Sequence, residues 1–195
     1  MQTKNKKRVG FDFDKVFVNT PPLIPDKVVD ILYKGYIAKN RQPNYLKYKF
    51  PNKIEQKIRI LSHHPVFRKP INENIKEIGR IYANPNLRPY LISSRFGFLK
   101  KRTDNFLKKH NFHANFHGIY FNYKNEQPHK FKLRMIKKLK IEAYIDDDHD
   151  LIYYLSEKHP KISYFLLSPK RKMVYKYKPK NIKIIKDLTD LKKYL

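Results

Sequence analysis

"VGFDFDKVFVNT", residues 9–20, sets two carboxylates, Asp12 and Asp14, one residue apart at the end of an apolar, aromatic run. Alternate residues of a strand point to one face of a sheet, and like charges held that close repel unless a cation or a shared proton lies between them. The chain has only 17 acidic residues among 195, so an acidic composition does not account for the pair. Burial of two such groups requires ionic partners or a metal.

A second acidic cluster lies far downstream in "EAYIDDDHD", residues 142–150, where Asp146, Asp147, Asp148 and Asp150 follow another apolar run. The two stretches together hold six of the 17 acids. Both fall at the C-terminal ends of predicted strands, the edge at which open α/β sheets bind ligands. Simpler roles exist for two of them: Asp148 as a helix N-cap, and Asp150 as a favourable charge in a first turn.

Around these clusters, short β-branched or aromatic runs alternate with amphipathic stretches. The predicted strands are "RVGFDF" at 8–13, "RPYLIS" at 88–93, "GIYFN" at 118–122, "EAYID" at 142–146 and "ISYFLLS" at 162–168. Helical periodicity marks "FLKKRTDNFLKKH" from 98, "KLRMIKKLK" from 132, "DLIYYLSEKH" from 150 and a terminal "DLTDLKKYL". Alternation of this kind predicts an α/β fold with a doubly wound parallel sheet, because right-handed crossovers put helices on both faces.

The first crossover is far too long for that scheme. From Asp14 to Ser93 the chain runs through nearly 80 residues, where about a dozen suffice. The excess contains helix-like "DKVVDILYKGYIA", "KIEQKIRILSHH" and "NENIKEIGRIYA", broken by "RQPNYLKYKFPN" and "HHPVFRKP". The expectation is a core of residues 1–19 and 76–195 carrying a helical cap, residues 20–75, with the third helix or its later part returning to the core.

The chain has no cysteine and no run near the roughly 20 apolar residues of a membrane span. A cytoplasmic protein is the expectation. Its 44 Lys and Arg give a formal charge of +27, a field that attracts polyanions or nucleotides without specifying any chemistry. The strip "PKRKMVYKYKPK" at 169–180 reads either as a nucleic-acid contact or as a solvated loop. Zinc is excluded because no second ligand pair has the required spacing.

These residues resemble the motifs of the haloacid dehalogenase-like superfamily. "FDFDKV" fits its D-x-D-x-[TV] motif, "LISSR" is similar to the second motif, and "KLRMIKKLKIEAYIDDD" is similar to the third and fourth. The likeness extends over about residues 8–168, and "SSR" eight residues before "TDNFLKKHNF" looks most like small capped phosphatases and 5'-nucleotidases. The resemblance implies a magnesium-dependent phosphomonoester hydrolase with a Rossmann-like core. Asp12 would be the nucleophile, forming an aspartyl-phosphate, and Asp14 the general acid and then base. Mg2+ would be held by Asp12, the backbone carbonyl of Asp14 and Asp147, with Asp146 or Asp150 in support.

In the same scheme Ser93 would donate to a phosphoryl oxygen, with Ser94 beside it, and Lys132, at the start of a helix, would stabilise phosphate charge, with Lys130 as rival. Arg95 would contact substrate or brace its loop. Lys15 stands where many members have a small or acidic residue, and His63 and His64 end a predicted cap helix. The substrate would be a phosphorylated small molecule, with a nucleotide one candidate. The alternative is a nucleic-acid-binding protein, or a phosphatase of nucleic-acid ends, on the same scaffold.

Overall fold

The computed structural model describes residues 6–20, 46–169 and 179–195. The first predicted cap helix and nearly all of the 169–180 strip lie outside these residues. Six parallel strands form one sheet in the order β3-β2-β1-β4-β5-β6. They are β1 (Lys7–Phe11), β2 (Leu87–Ser93), β3 (Gly118–Phe121), β4 (Ala143–Asp146), β5 (Ser163–Leu167) and β6 (Ile182–Ile185). The five expected strands are present. β6 was not expected, because "IKII" is short and set among lysines; Ile182 and Ile185 face inward and Lys183 lies between them on the sheet edge.

Strand residues alternate between two separate cores, so both faces of the sheet are covered. Val9, Phe11 and Leu91 pack with Ile78, Ile81, Phe106 and Leu107 from α2 (Asn72–Ala83) and α3 (Lys100–Lys109). On the other face Ile92, Tyr144 and Tyr164 pack with α4 (Pro128–Lys138) and α5 (His149–Lys158). The architecture is therefore the doubly wound α/β fold expected. Gly10, on this second face of β1, leaves room for the Tyr144 ring: a Cβ there would stand 2.8 Å from its Cδ2.

The long first crossover leaves and re-enters the core at one place. After β1 the chain makes a tight turn, with the Phe17 amide donating to the Phe13 carbonyl and Lys15 in the left-handed region at φ 57°. Val18 then pairs antiparallel with Pro70, the Asn19 amide donates to Lys69 O, and the Ile71 amide to Phe17 O. Between these ends lies α1 (Lys53–Ser62), begun by a capping box in which Asn52 and Glu55 bond each other's backbone amides. α2 belongs to the sheet layer from its first turn: Asn74 is buried and donates to Val16 O. The boundary expected at residue 75 thus falls inside α2, and the chain rejoins the core at 71–72.

Candidate active site

Parallel pairing aligns the ends of β1 and β4. Phe11 is level with Ile145, and the Asp12 amide donates to Ile145 O, so Asp12 stands beside Asp146. β2 ends at Ser93 on the other side of β1. Connections from β1 and β4 run to opposite faces here, which makes this junction the topological switch point where doubly wound sheets open a crevice. A cavity of about 1000 Å³ lies there, and Asp12, Asp14, Ser93, Lys132, Asp146 and Asp147 are among its walls.

Lys132 is the counter-charge of the crevice. Pro128 at the first position starts α4 four residues earlier than the periodicity suggested, which puts Lys132 in the second turn, not at the helix start. Its Nζ lies 2.7 Å from Asp12 Oδ1 and 2.6 Å from Asp146 Oδ2, and 5.9 Å from the centroid of the Tyr144 ring. Burial alone would lower its pKa, but the two carboxylates prevail and hold it well above the ordinary lysine value. Lys130, the rival, is exposed on the outer side of the same helix.

Carboxylate oxygens of Asp12, Asp146 and Asp147 lie within 4.8 Å of one another. Burial raises the pKa of Asp12 well above the usual range; Lys132 opposes this, and Asp146, Asp14 and Asp147 reinforce it. Burial likewise pushes Asp147 up to about 7, against the pull of Lys15, whose Nζ is 3.4 Å away. A site where carboxylates are costly to ionise and every donor is oxygen fits a hard cation such as Mg2+, which takes one or two carboxylates together with phosphate oxygens and water. Lys15, whose role was open, therefore serves as an ionic partner of Asp147.

Asp148 is the N-cap of α5, accepting from the amides of Asp150 and Leu151, while its own amide donates to Asp146 Oδ1. Asp150 is buried in the first turn and lines the cavity, outside the three-carboxylate group. Tyr48, from the inserted segment, reaches the same corner. Its hydroxyl donates to Asp148 Oδ2 at 3.0 Å, and its backbone amide and carbonyl are both bonded by the Gln127 side chain. Ser93 is buried on the cavity wall, and Ser94 Oγ donates to Pro128 O at 3.5 Å, which ties the β2 loop to α4.

Asp14 lies on the opposite side, in the grip of two arginines. Arg95 donates from Nε to Oδ2 at 2.8 Å and from Nη2 to Oδ1 at 2.7 Å, while its Nη1 reaches Thr103 Oγ1 and its guanidinium lies over Phe13. Arg68 Nη2 donates to the same Oδ1. Burial would raise the Asp14 pKa, but Arg95 and Arg68 overrule it and keep the carboxyl well below its ordinary range. Arg95 thus braces Asp14. Arg68 was missed in the sequence because it stands in a proline-broken stretch with no periodicity. His63 is buried against Arg68, and His64 lies outside this network.

No protein-family model matches the sequence, and no curated protein matches it. Solved structures do. A haloacid dehalogenase-type hydrolase of Bacillus subtilis, bound to magnesium, has a TM-score of 0.62 at 10% identity, covering 96% of this chain and 97% of that one. A haloacid dehalogenase-like hydrolase of Streptococcus pneumoniae has 0.58 at 10%, covering 97% and 98%. An enzyme of the same family from Bacteroides thetaiotaomicron, complexed with magnesium and inorganic phosphate, has 0.54 at 11%, covering 87% and 98%. With the strand order, the two covered faces and the position of the crevice, these likenesses show that the chain has the fold of the haloacid dehalogenase-like hydrolases.

Proposed function

We propose that the protein is a magnesium-dependent phosphomonoester hydrolase that works through an aspartyl-phosphate on Asp12. The observation that carries this reading is the convergence of Asp12, Asp146 and Asp147 around Lys132 at the switch point of the sheet. Magnesium and phosphate bound to a protein of the same fold support it. Asp12, Asp147 and the backbone carbonyl of Asp14 would hold the ion, with Asp146 orienting Lys132 and helping to balance the charge. When bound, the ion neutralises and orients a phosphoryl group among these acids.

Asp12 attacks phosphorus in line, and the ester oxygen leaves with a proton from Asp14. Asp14 then takes a proton from water as that water attacks the aspartyl-phosphate, which releases phosphate and restores Asp12. Lys132 holds Asp12 through one carboxylate oxygen, and Ser93 donates to a phosphoryl oxygen. The inserted segment between residues 20 and 71 is the cap and sets substrate choice. The substrate is a phosphorylated metabolite, with nucleotides favoured by the +27 charge and by the resemblance of the "SSR" region to 5'-nucleotidases.

A panel of phosphorylated metabolites, nucleotides and end-phosphorylated oligonucleotides, assayed with Mg2+, tests the reading. Turnover is expected to vanish with a chelator and return with Mg2+, and Asp12→Asn is expected to abolish it while the circular dichroism of the wild type is kept. Turnover by Asp12→Asn at the wild-type rate excludes the mechanism.

A further inference from the structure

The clamp on Asp14 is built from both sides of the inserted segment's base. Arg95 follows β2 and is anchored in the core through Thr103 and Phe13. Arg68 comes from the insertion, immediately before the short ladder in which Lys69, Pro70 and Ile71 pair with the turn after β1. It is buried, as is the residue that sets it, His63, at the C-cap of α1. His63 Nδ1 is 2.7 Å from Arg59 O, a carbonyl that can only accept, so Nδ1 carries the hydrogen. The other ring nitrogen, Nε2, faces Arg68 Nη2 at 3.4 Å and is the acceptor. Burial, followed by the charges of Arg95 and Arg68, pushes the histidine pKa down to about 3, in keeping with a neutral ring.

This chain of contacts treats the two oxygens of Asp14 differently. Oδ1 accepts from both Arg95 and Arg68, whereas Oδ2 accepts from Arg95 Nε alone. A carboxylate oxygen has two acceptor positions, so Oδ2 retains one and is the oxygen able to carry a transferable proton. Without Arg68 the carboxylate would still be held by Arg95, but the two oxygens would be equivalent in their number of donors.

We propose that Arg68, oriented by His63, is a positioning residue for Asp14: it occupies Oδ1, presents Oδ2 to the leaving oxygen, and makes acid catalysis in the core depend on a residue of the insertion. This rests on the phosphatase reading given above. The step it serves is the transfer of one proton from Asp14 Oδ2 to the ester oxygen as the phosphorus–oxygen bond breaks. Esters whose alcohol is a poor leaving group need that proton, and those with a stable aryloxide hardly do.

The test compares an alkyl phosphate with p-nitrophenyl phosphate, both with Mg2+, across Arg68→Met, Arg68→Lys, His63→Leu and His63→Gln. Arg68→Met is expected to lose about 10- to 100-fold in kcat on the alkyl ester, up to the lower end of the range for a general acid, and less than about threefold on the aryl ester. Arg68→Lys and His63→Gln, which keep a cation and an acceptor, are expected to recover part of the loss; His63→Leu is not. Equal losses on both esters, or none on either, overturn the proposal. If Arg68→Met does not fold, the His63→Leu and His63→Gln pair decides by the same ratio. Wild-type protein inactive on both esters defeats the phosphatase reading itself, a different result from an active wild type with indiscriminate variants.

Discussion

At the scale of single residues, the crevice is a problem of charge solved by one lysine. Lys132 is 4% exposed and lies within hydrogen-bond distance of two carboxylates that are themselves buried. Removing one partner of a buried ionic group strands the others, at a cost of about 3–5 kcal/mol. Lys132→Met is therefore expected to destabilise the metal-free protein by about that amount in urea unfolding. Added Mg2+ should recover more stability in this variant than in the wild type, since it supplies a cation to the same acids. A variant as stable as the wild type in metal-free buffer would show that Asp12 and Asp146 do not need the lysine. The selection of Lys132 over Lys130 follows from helix phase: residues two apart on a helix are about 200° apart around its axis, so one faces the crevice and the other faces water.

At the scale of elements, the position of Lys132 depends on how β1 and β4 touch. Tyr144 lies across β1 where Gly10 has no side chain, its hydroxyl donates to Ile92 O, and its ring forms a wall beside the lysine. Gly10→Ala forces the Cβ against the tyrosine ring and, at 3.2 Å, against Ile92 Cδ1. Overpacking of this kind costs about 1–3 kcal/mol. The expected outcome is a loss of stability of that order, accompanied by weakened turnover, because the ring that moves is the one next to Lys132. Pairing the substitution with Tyr144→Phe will not relieve the clash, whereas Tyr144→Leu should; thermal unfolding of the two double variants distinguishes them. Motif spacing alone did not reveal this role of Gly10, since the glycine is needed by a side chain 134 residues away.

For the whole molecule, the outstanding property is the charge of +27. Residues 20–75 carry 11 Lys or Arg against four acids, and residues 158–186 carry no acid. Exposed charges act over about 8–10 Å at physiological salt, so a field of this kind guides a multiply charged substrate more than a small one. kcat/KM for a nucleotide or an end-phosphorylated oligonucleotide is expected to fall steeply between low and moderate salt, while a small neutral-bodied phosphate ester falls much less. Parallel, shallow curves for both, with no retention of oligonucleotide, would confine the reading to a small-molecule phosphatase. Among the described residues no helix is long and apolar enough to cross a membrane.

The sheet and the acids at its edge were legible in the sequence because both are written locally. Runs such as "RPYLIS" and "ISYFLLS" are apolar enough to be buried on both faces, and their alternation with amphipathic stretches admits little besides a parallel α/β sheet. Asp12, Ser93 and Asp146 could be placed near one another because each ends a strand of that sheet. β6 could not be read: an edge strand of four residues buries too little to show a pattern, and its lysines resemble a loop. The tertiary structure alone decided which cations meet which acids. Arg68 and Arg95 lie 54 and 81 residues from Asp14, and their convergence depends on the insertion returning at Val18 and Pro70 and on β2 lying beside β1. In a chain with 44 basic residues, composition makes every lysine and arginine an equal candidate, and only burial and distance separate the few that face a carboxylate from the many that face water.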